Sequence, residues 1–171
     1  SCCDSRIHAT SIFGADTGEF FIHRNIANLV PPYNPDGDHH GTSAAVEYAL
    51  KTLQVSHIII LGHSHCGGIK SGYKLFSSNQ ISHESIFVNK WLDILKPAYE
   101  NISKNINRFD EGNNADLEKE SIKFSLNNLT DFPFVKSALN KKELVLHGLW
   151  HDIGSGALEA LDPISMNFKK I

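Results

Sequence analysis

The feature that most constrains the fold is a short, wholly apolar run, Ile58 to Leu61, between a helical pattern and a glycine-containing turn. The preceding segment, 42–54, has Thr42 as its expected N-cap. Its apolar residues recur three and four positions apart, as in an amphipathic helix: Ala45, Val46, Ala49, Leu50 and Leu53. An apolar run directly after a helix is typical of a strand buried on both faces of a parallel sheet. Gly67 and Gly68 then allow a sharp turn into the next helix.

The alternation of strand and helix continues along the chain. The predicted elements are a β-prone segment at 19–32, a helix at 86–106 interrupted at Pro97, a helix at 117–133, a short helix at 134–142, a strand at 143–153 and an edge strand at 157–163. Loops are predicted at 33–43, 77–85 and 109–116. This order predicts one α/β domain over residues 1–171 with a mainly parallel sheet flanked by helices.

Composition excludes several classes of function. With 171 residues and 41% hydrophobic content, the chain is long enough for one sizeable core. The net charge is −3 and the 16 Lys and Arg residues are scattered, so we expect no nucleic-acid partner and no membrane association. Three cysteines are an odd number, which favours a reducing compartment over a disulfide scaffold. We expect the cytoplasm, or an organelle if a targeting segment precedes Ser1.

Two clusters of polar residues fall where α/β proteins place their sites, at the carboxyl ends of strands. One is "CCDSR" at 2–6, and the other is "GHSHCGG" at 62–68. If their strands are neighbours, Cys2, His63 and Cys66 come together. Two thiolates and one imidazole suit zinc and leave a fourth position open, as catalytic zinc requires. From spacing alone, His65 remains an alternative to His63.

Strand alternation sorts the first cluster into two faces, since successive side chains point to opposite sides. Cys2 and Asp4 share one face, and Cys3 and Ser5 share the other. Cys3 is therefore expected to be a small packed residue. Other interpretations stay open. Cys2 could be a core thiol, His63 a histidine hydrogen-bonded to the backbone, and Cys66 a packing residue at a helix start. Asp4 and Arg6 could form an ordinary salt bridge, or the two adjacent cysteines could form a disulfide. Five further histidines are interpreted as loop or core residues: His8, His39, His40, His83 and His147.

The two clusters resemble the C-x-D-S-R and G-H-S-x-C-G-G motifs of β-class carbonic anhydrases. The likeness extends through 20–33, 41–72 and 125–159, and "VPPY" is similar to the plant-like branch. The resemblance implies a four-stranded parallel core sheet with an added edge strand. It implies zinc, one ion per subunit, bound by Cys2, His63 and Cys66. It also implies an Asp4–Arg6 pair and a substrate pocket with a backbone N–H donor, formed by Phe21, Ile26, Tyr48 and Gly67. Homodimers or a dimer-based tetramer would place these sites at subunit interfaces.

The activity implied by the resemblance is the reversible hydration of carbon dioxide to bicarbonate and a proton. Zinc-bound hydroxide would attack the carbon while Asp4 accepts a hydrogen bond from its O–H and Arg6 keeps Asp4 ionised. In family members that close the site, the acid becomes the fourth metal ligand, so Asp4 is an alternative ligand here. Two other functions stay open: a zinc hydrolase acting on carbonyl sulfide or carbon disulfide, and a catalytically inactive zinc-binding homologue.

The chain departs from the family pattern at two places. Family members usually carry helices, a first strand and a substrate-contacting Gln before the first Cys, so we expect the natural protein to be longer. His151 stands where the family often has Tyr. A proton relay and a surface or dimer contact are both compatible with a histidine at this position.

Overall fold

The computed structural model describes residues 1–36, 40–78, 85–105 and 114–171. Its elements are, in order, α1 (Ala9–Phe13), α2 (Gly41–Lys51), β1 (His57–His63), α3 (Gly67–Ser78), α4 (Ile86–Leu92), α5 (Lys96–Asn105), α6 (Ala115–Thr130), α7 (Pro133–Asn140), β2 (Val145–His151), β3 (Leu158–Leu161) and β4 (Phe168–Lys170). Two 3₁₀ turns, Ile26–Asn28 and Asp93–Leu95, lie between these elements. Among the described residues, no helix combines the length and apolar character needed to cross a membrane.

The strands form one sheet in the order β1-β2-β3-β4. β1 and β2 are parallel, with His57 opposite Val145 and His63 opposite His151, while β2–β3 and β3–β4 are antiparallel. The predicted α/β class is confirmed, but only one of the three described strand pairs is parallel. The reason is connectivity: helices separate β1 from β2, whereas short turns join the later strands, and short turns can join only antiparallel strands.

Helix α6 packs against one face of the sheet. A Cβ added at Gly62 or Gly148 would lie 2.7 Å or 2.9 Å from side-chain atoms of Ile122, so glycine at both positions lets the helix approach the sheet. On the opposite face, Ile7, Leu61 and Leu149 form a smaller buried cluster that packs against α1. Ile60 and Leu61 are therefore buried, as the apolar run predicts, whereas Ile58 and Ile59 are partly exposed.

Three local predictions differ from the structure. Thr42 is not the N-cap of α2, since the helix begins at Gly41 with His40 as N-cap. The Thr42 hydroxyl instead lies 3.0 Å from His23 Nε2 and 3.3 Å from Asn25 Nδ2. The β-prone segment 19–32 forms no strand ladder and makes one parallel β-bridge, between Asn25 and Cys2. Strand β4 had no signal in the sequence, and it lies outside β3, so β3 is not an edge strand of the described sheet.

The interruption predicted at Pro97 is confirmed. Helix α4 ends at Leu92, a 3₁₀ turn covers Asp93–Leu95, and α5 begins at Lys96. Proline has no backbone N–H and clashes with the preceding turn, so it occupies the first turn of a new helix. The loops predicted at 77–85 and 109–116 fall largely outside the described residues.

Candidate metal centre

Three side chains from different parts of the chain converge at the carboxyl end of β1. Cys2 is held beside Asn25, His63 is the last residue of β1, and Cys66 immediately precedes α3. Their candidate ligand atoms lie within 4.8 Å of one another, and all three residues are buried. The structure thus brings together the three residues predicted as metal ligands. His65 has an exposed side chain and does not belong to this group.

The spacing of the two sulfurs fits a tetrahedral zinc ion. Cys2 Sγ and Cys66 Sγ are 3.9 Å apart. Two thiolates on one tetrahedral zinc lie about 3.8 Å apart, given a Zn–S distance of about 2.3 Å. His63 Nδ1 contacts the Ser64 carbonyl at 2.9 Å, and His63 Nε2 is buried without a hydrogen-bond partner among the described residues. Nε2 is therefore available as the third donor, and the donor set suits zinc.

Cys66 caps α3 and its thiol lies beside that of Cys2. Its carbonyl accepts the Lys70 N–H at 3.0 Å, so Cys66 is the N-cap of α3. The Cys2 sulfur and burial raise the pKa of Cys66, while the backbone N–H groups of Gly68 and Ile69 oppose this shift. A hydrogen bond from the Cys66 thiol lowers the pKa of Cys2.

Asp4 and Arg6 form a two-point ion pair beside the three ligands. Arg6 Nε donates to Asp4 Oδ1 at 2.9 Å, and Arg6 Nη2 donates to Asp4 Oδ2 at 2.6 Å. Nη2 also donates to the His65 carbonyl at 3.0 Å. The hydrogen bonds from Arg6 hold the pKa of the Asp4 carboxyl far below its usual range. Asp4 is therefore a carboxylate, and an acceptor only, at neutral pH.

Cys3 does not occupy the buried position that strand alternation predicts. Its side chain is exposed, whereas Cys2 is buried. The prediction was wrong because this segment makes a single β-bridge rather than a full ladder, so no described strand or helix covers the outer face of Cys3.

The predicted pocket residues make two local contacts. The rings of Phe21 and Tyr48 have centroids 5.8 Å apart, and each side chain is about half exposed. Ile26 packs against Gly68, where an added Cβ would lie 2.8 Å from Ile26 Cγ2. Gly67 begins α3, and apart from its chain neighbours and the backbone of its own helix no described atom lies within 4 Å of the place its Cβ would take. Phe21 and Tyr48 thus form an exposed aromatic pair, and Ile26 contacts the start of α3.

The sharp turn before α3 is made by His65, and the glycines serve other purposes. His65 has a φ of 55°, in the left-handed region that is unusual for a residue with a side chain. This conformation directs the His65 carbonyl to Arg6. Gly68 is needed for the close approach of Ile26 and Ala27.

Two residues that were not predicted from the sequence, Arg24 and Glu118, hydrogen-bond to the backbone of the candidate metal site. The Arg24 guanidinium donates to the carbonyls of Cys2, Asp4 and Ile7 at 3.0, 2.8 and 2.8 Å, which fixes the path of the first motif. Glu118 is buried and accepts the Cys66 N–H at 3.0 Å. Burial raises the pKa of Glu118. The sequence gives no signal for either contact, because a charged residue in a polar-rich segment is usually a surface residue.

The other histidines lie apart from the ligand group or outside the described residues. His8 and His40 are the residues before α1 and α2, and His147 lies in β2, whereas His39 and His83 are outside the described residues. His151 pairs with His63 across the sheet. Its Nδ1 is buried and has no hydrogen-bond partner in the part of the chain that is described.

Comparison with known proteins agrees with this geometry. A model of the carbonic anhydrase family matches residues 1–158. Beta carbonic anhydrase 3 of Arabidopsis thaliana is 36% identical over 160 residues, which cover 93% of this chain and 61% of that protein. The chain therefore spans less than two thirds of the length of this relative.

Solved structures are similar over nearly the whole chain. The β-carbonic anhydrase CcaA superposes with a TM-score of 0.91 at 32% identity, covering 99% of this chain and 81% of the other. One of two tetrameric β-carbonic anhydrases from the ascomycete Sordaria macrospora gives a TM-score of 0.78 at 31% identity, covering 94% and 77%. The family match, the identities and the shared fold lead to one conclusion: the chain belongs to the β-carbonic anhydrase family.

Proposed function

We propose that the protein catalyses the reversible hydration of carbon dioxide to bicarbonate and a proton, with one zinc ion bound by Cys2, His63 and Cys66. The observation that carries this proposal is the buried Cys–His–Cys group, with ligand atoms within 4.8 Å, beside the Asp4–Arg6 pair. A zinc site that only stabilises the fold has no need for a carboxylate held next to it. The family membership supports the same reaction.

The metal supplies electrostatic activation of the attacking oxygen. When bound, zinc is a Lewis acid that lowers the pKa of a water molecule towards about 7. The two thiolates of Cys2 and Cys66 offset its formal charge, so the surrounding hydrogen bonds matter more than at a site with three histidines.

Asp4 would orient the attacking oxygen. A carboxylate accepts hydrogen bonds and cannot donate them, so Asp4 accepts the O–H of the nucleophile and leaves a lone pair facing the carbon. The two hydrogen bonds from Arg6 keep Asp4 ionised and fix its plane. If Asp4 leaves Arg6, its carboxylate becomes free to act as the alternative fourth metal ligand.

Substrate binding would use apolar surface and one backbone donor. Carbon dioxide has no charge and no hydrogen-bond donor, so Phe21, Ile26 and Tyr48 provide a suitable wall. Gly67 is the first residue of α3, where backbone N–H groups have no partner within the helix. Its N–H would donate to a substrate oxygen as negative charge develops there.

We also propose that the protein is a homo-oligomer, a dimer-based tetramer. Phe21 and Tyr48 are 48% and 50% exposed in the single chain. Such apolar surface is typical of an interface between subunits, and the Sordaria macrospora relatives are tetramers.

All three cysteines are free, which supports our proposal of a reducing location, the cytoplasm.

The deciding experiment is stopped-flow carbon dioxide hydration by protein whose zinc content has been measured. We expect one zinc per subunit and hydration well above the buffer rate. Carbonyl sulfide hydrolysis is measured on the same sample to test the related activity. Stoichiometric zinc without hydration above background would overturn the proposed function, and light scattering on that sample tests the oligomer.

A further inference from the structure

Glu118 is a buried acid that contacts the metal centre from outside the ligand set. It lies near the start of α6, and 2% of its surface is exposed. Its Oε1 accepts the backbone N–H of Cys66 at 3.0 Å, and its Oε2 accepts the Nε1–H of Trp150 at 3.1 Å. A buried carboxylate is costly unless its oxygens are hydrogen-bonded, so both contacts bear on why an acid is retained here.

The contact with Cys66 completes the cap of helix α3. In a capping box, the side chain three residues into a helix accepts the N–H of the N-cap residue. Here that position is Ile69, which is apolar and has no acceptor. Glu118, from another helix, supplies the acceptor instead. The orientation of the Cys66 backbone, and with it the direction of Sγ, therefore depends on a residue 52 positions away.

The second contact fixes the carboxylate itself. Trp150 is buried in β2. Lys119 Nζ lies 4.3 Å from the centroid of a Trp150 ring, and the same Nζ lies 2.7 Å from a carboxylate oxygen of Glu159. The indole N–H and the Cys66 N–H face the two oxygens of one side chain. Only a group with acceptors at both ends satisfies both donors. A glutamine would turn its NH₂ towards one of them.

We propose that Glu118 is a positioning residue that holds the backbone of Cys66 in the orientation in which its thiolate binds the metal. The inference rests on the proposed zinc site. It concerns how firmly the metal is held, a property distinct from the orienting role of Asp4. Groups hydrogen-bonded to metal-binding residues typically change metal affinity about 10- to 100-fold when they are removed.

The test compares Glu118→Gln with Glu120→Gln in the zinc-loaded protein. Glu120 is the matched control, because it lies on the same helix but pairs with Lys123 and Asn101. Zinc release to a chromogenic chelator is measured for each variant. The visible spectrum of the cobalt-substituted protein reports the geometry around the two sulfurs. We expect Glu118→Gln to release zinc about 10- to 100-fold faster and to shift the cobalt bands, and Glu120→Gln to match the wild type.

A double variant separates positioning from general stability. In Glu118→Gln with Trp150→Phe, the amide NH₂ no longer faces a second donor, and its oxygen can accept the Cys66 N–H. We expect zinc release slower than in Glu118→Gln alone. If Glu118 only stabilises the core, the double variant should release zinc at least as fast as Glu118→Gln, because Trp150→Phe removes further buried packing.

The outcomes distinguish this inference from the proposed function. A wild-type protein that binds no zinc contradicts the proposed function. If the wild type binds zinc but Glu118→Gln releases it at the wild-type rate with unchanged cobalt bands, the positioning role is wrong. Glu118→Asp keeps the charge and withdraws the carboxylate by one methylene, so it provides the same test if the glutamine variant does not fold.

Discussion

Arg6 joins Asp4 to the turn that carries the candidate metal ligands, since its Nη2 donates both to Asp4 Oδ2 at 2.6 Å and to the His65 carbonyl at 3.0 Å. His65 lies between His63 and Cys66 in the sequence. One guanidinium therefore sets the position of the proposed orienting carboxylate relative to the loop that holds two of the three candidate ligands. Lysine could not replace it, because it lacks the planar fork that serves several acceptors at once.

Asp4→Asn tests the orienting role. We expect zinc content to stay at the wild-type level, because Asp4 is not among the three converging ligands. Turnover should fall about 10²-fold or more, since the amide can present a donor where the carboxylate only accepts. Stopped-flow hydration and metal analysis measure the two effects. The control, Asp131→Asn at the end of α6, should keep wild-type turnover, and full activity in Asp4→Asn would contradict the role.

The adjacent cysteines provide a matched pair for the ligand assignment. Cys2 is buried with its sulfur 3.9 Å from that of Cys66, whereas Cys3 is exposed. We expect Cys2→Ser to lose bound zinc, because a hydroxyl is a far poorer zinc donor than a thiolate. Cys3→Ser should retain one zinc per subunit. Metal analysis after gel filtration measures both, and equal zinc loss in the two variants would show that the assignment is wrong.

Alanine at Gly67 and alanine at Gly68 should affect the free energy of unfolding differently. A Cβ at Gly68 would lie 2.8 Å from Ile26 Cγ2 and 2.9 Å from Ala27 Cβ, whereas the same atom at Gly67 would meet no described atom within 4 Å apart from its chain neighbours and its own helix backbone. Gly68→Ala should lower the free energy of unfolding by about 1–3 kcal/mol, as overpacking usually does. Gly67→Ala should not lower it, since alanine favours a helix over glycine. Urea denaturation measures both, and equal stability in the two variants would contradict the packing argument.

A histidine pair at the other end of β1 predicts a pH dependence of stability. His57 Nδ1 and His147 Nε2 are 3.0 Å apart. Burial, followed by the neighbouring His57, lowers the pKa of His147 below its ordinary value of 6.5. Between the lowered pKa and 6.5 the unfolded chain therefore binds more protons. Stability should rise with pH through this window and be lost as the pH falls below about 6.5.

His147→Gln should reduce that pH dependence. The measurement is thermal unfolding of the metal-free protein between about pH 5 and 8, so that metal loss in acid does not contribute. The glutamine does not titrate, and the variant should lose less stability on acidification than the wild type. An identical loss in both proteins would show that this pair does not contribute.

Much of the architecture could be predicted from neighbouring residues. The apolar run at 58–61, the helical spacing before it and the interruption at Pro97 depend on residues a few positions apart, and each is found in the structure. The short β4 and the lack of a ladder at 19–32 could not be predicted in this way. Whether a segment forms a strand depends on which other strands lie next to it in the fold, and local sequence propensity contains no information about those neighbours.

The sequence by itself determined which residues could hold a metal, because donor chemistry belongs to the residue type and two motifs supplied Cys2, His63 and Cys66. Only the tertiary structure decided that Cys3 is exposed and that Glu118 accepts the Cys66 N–H. It also decided that Arg24 holds the carbonyls of the first motif. Burial and hydrogen bonding depend on distances in space. Residues far apart along the chain meet only after the helices and the sheet have packed.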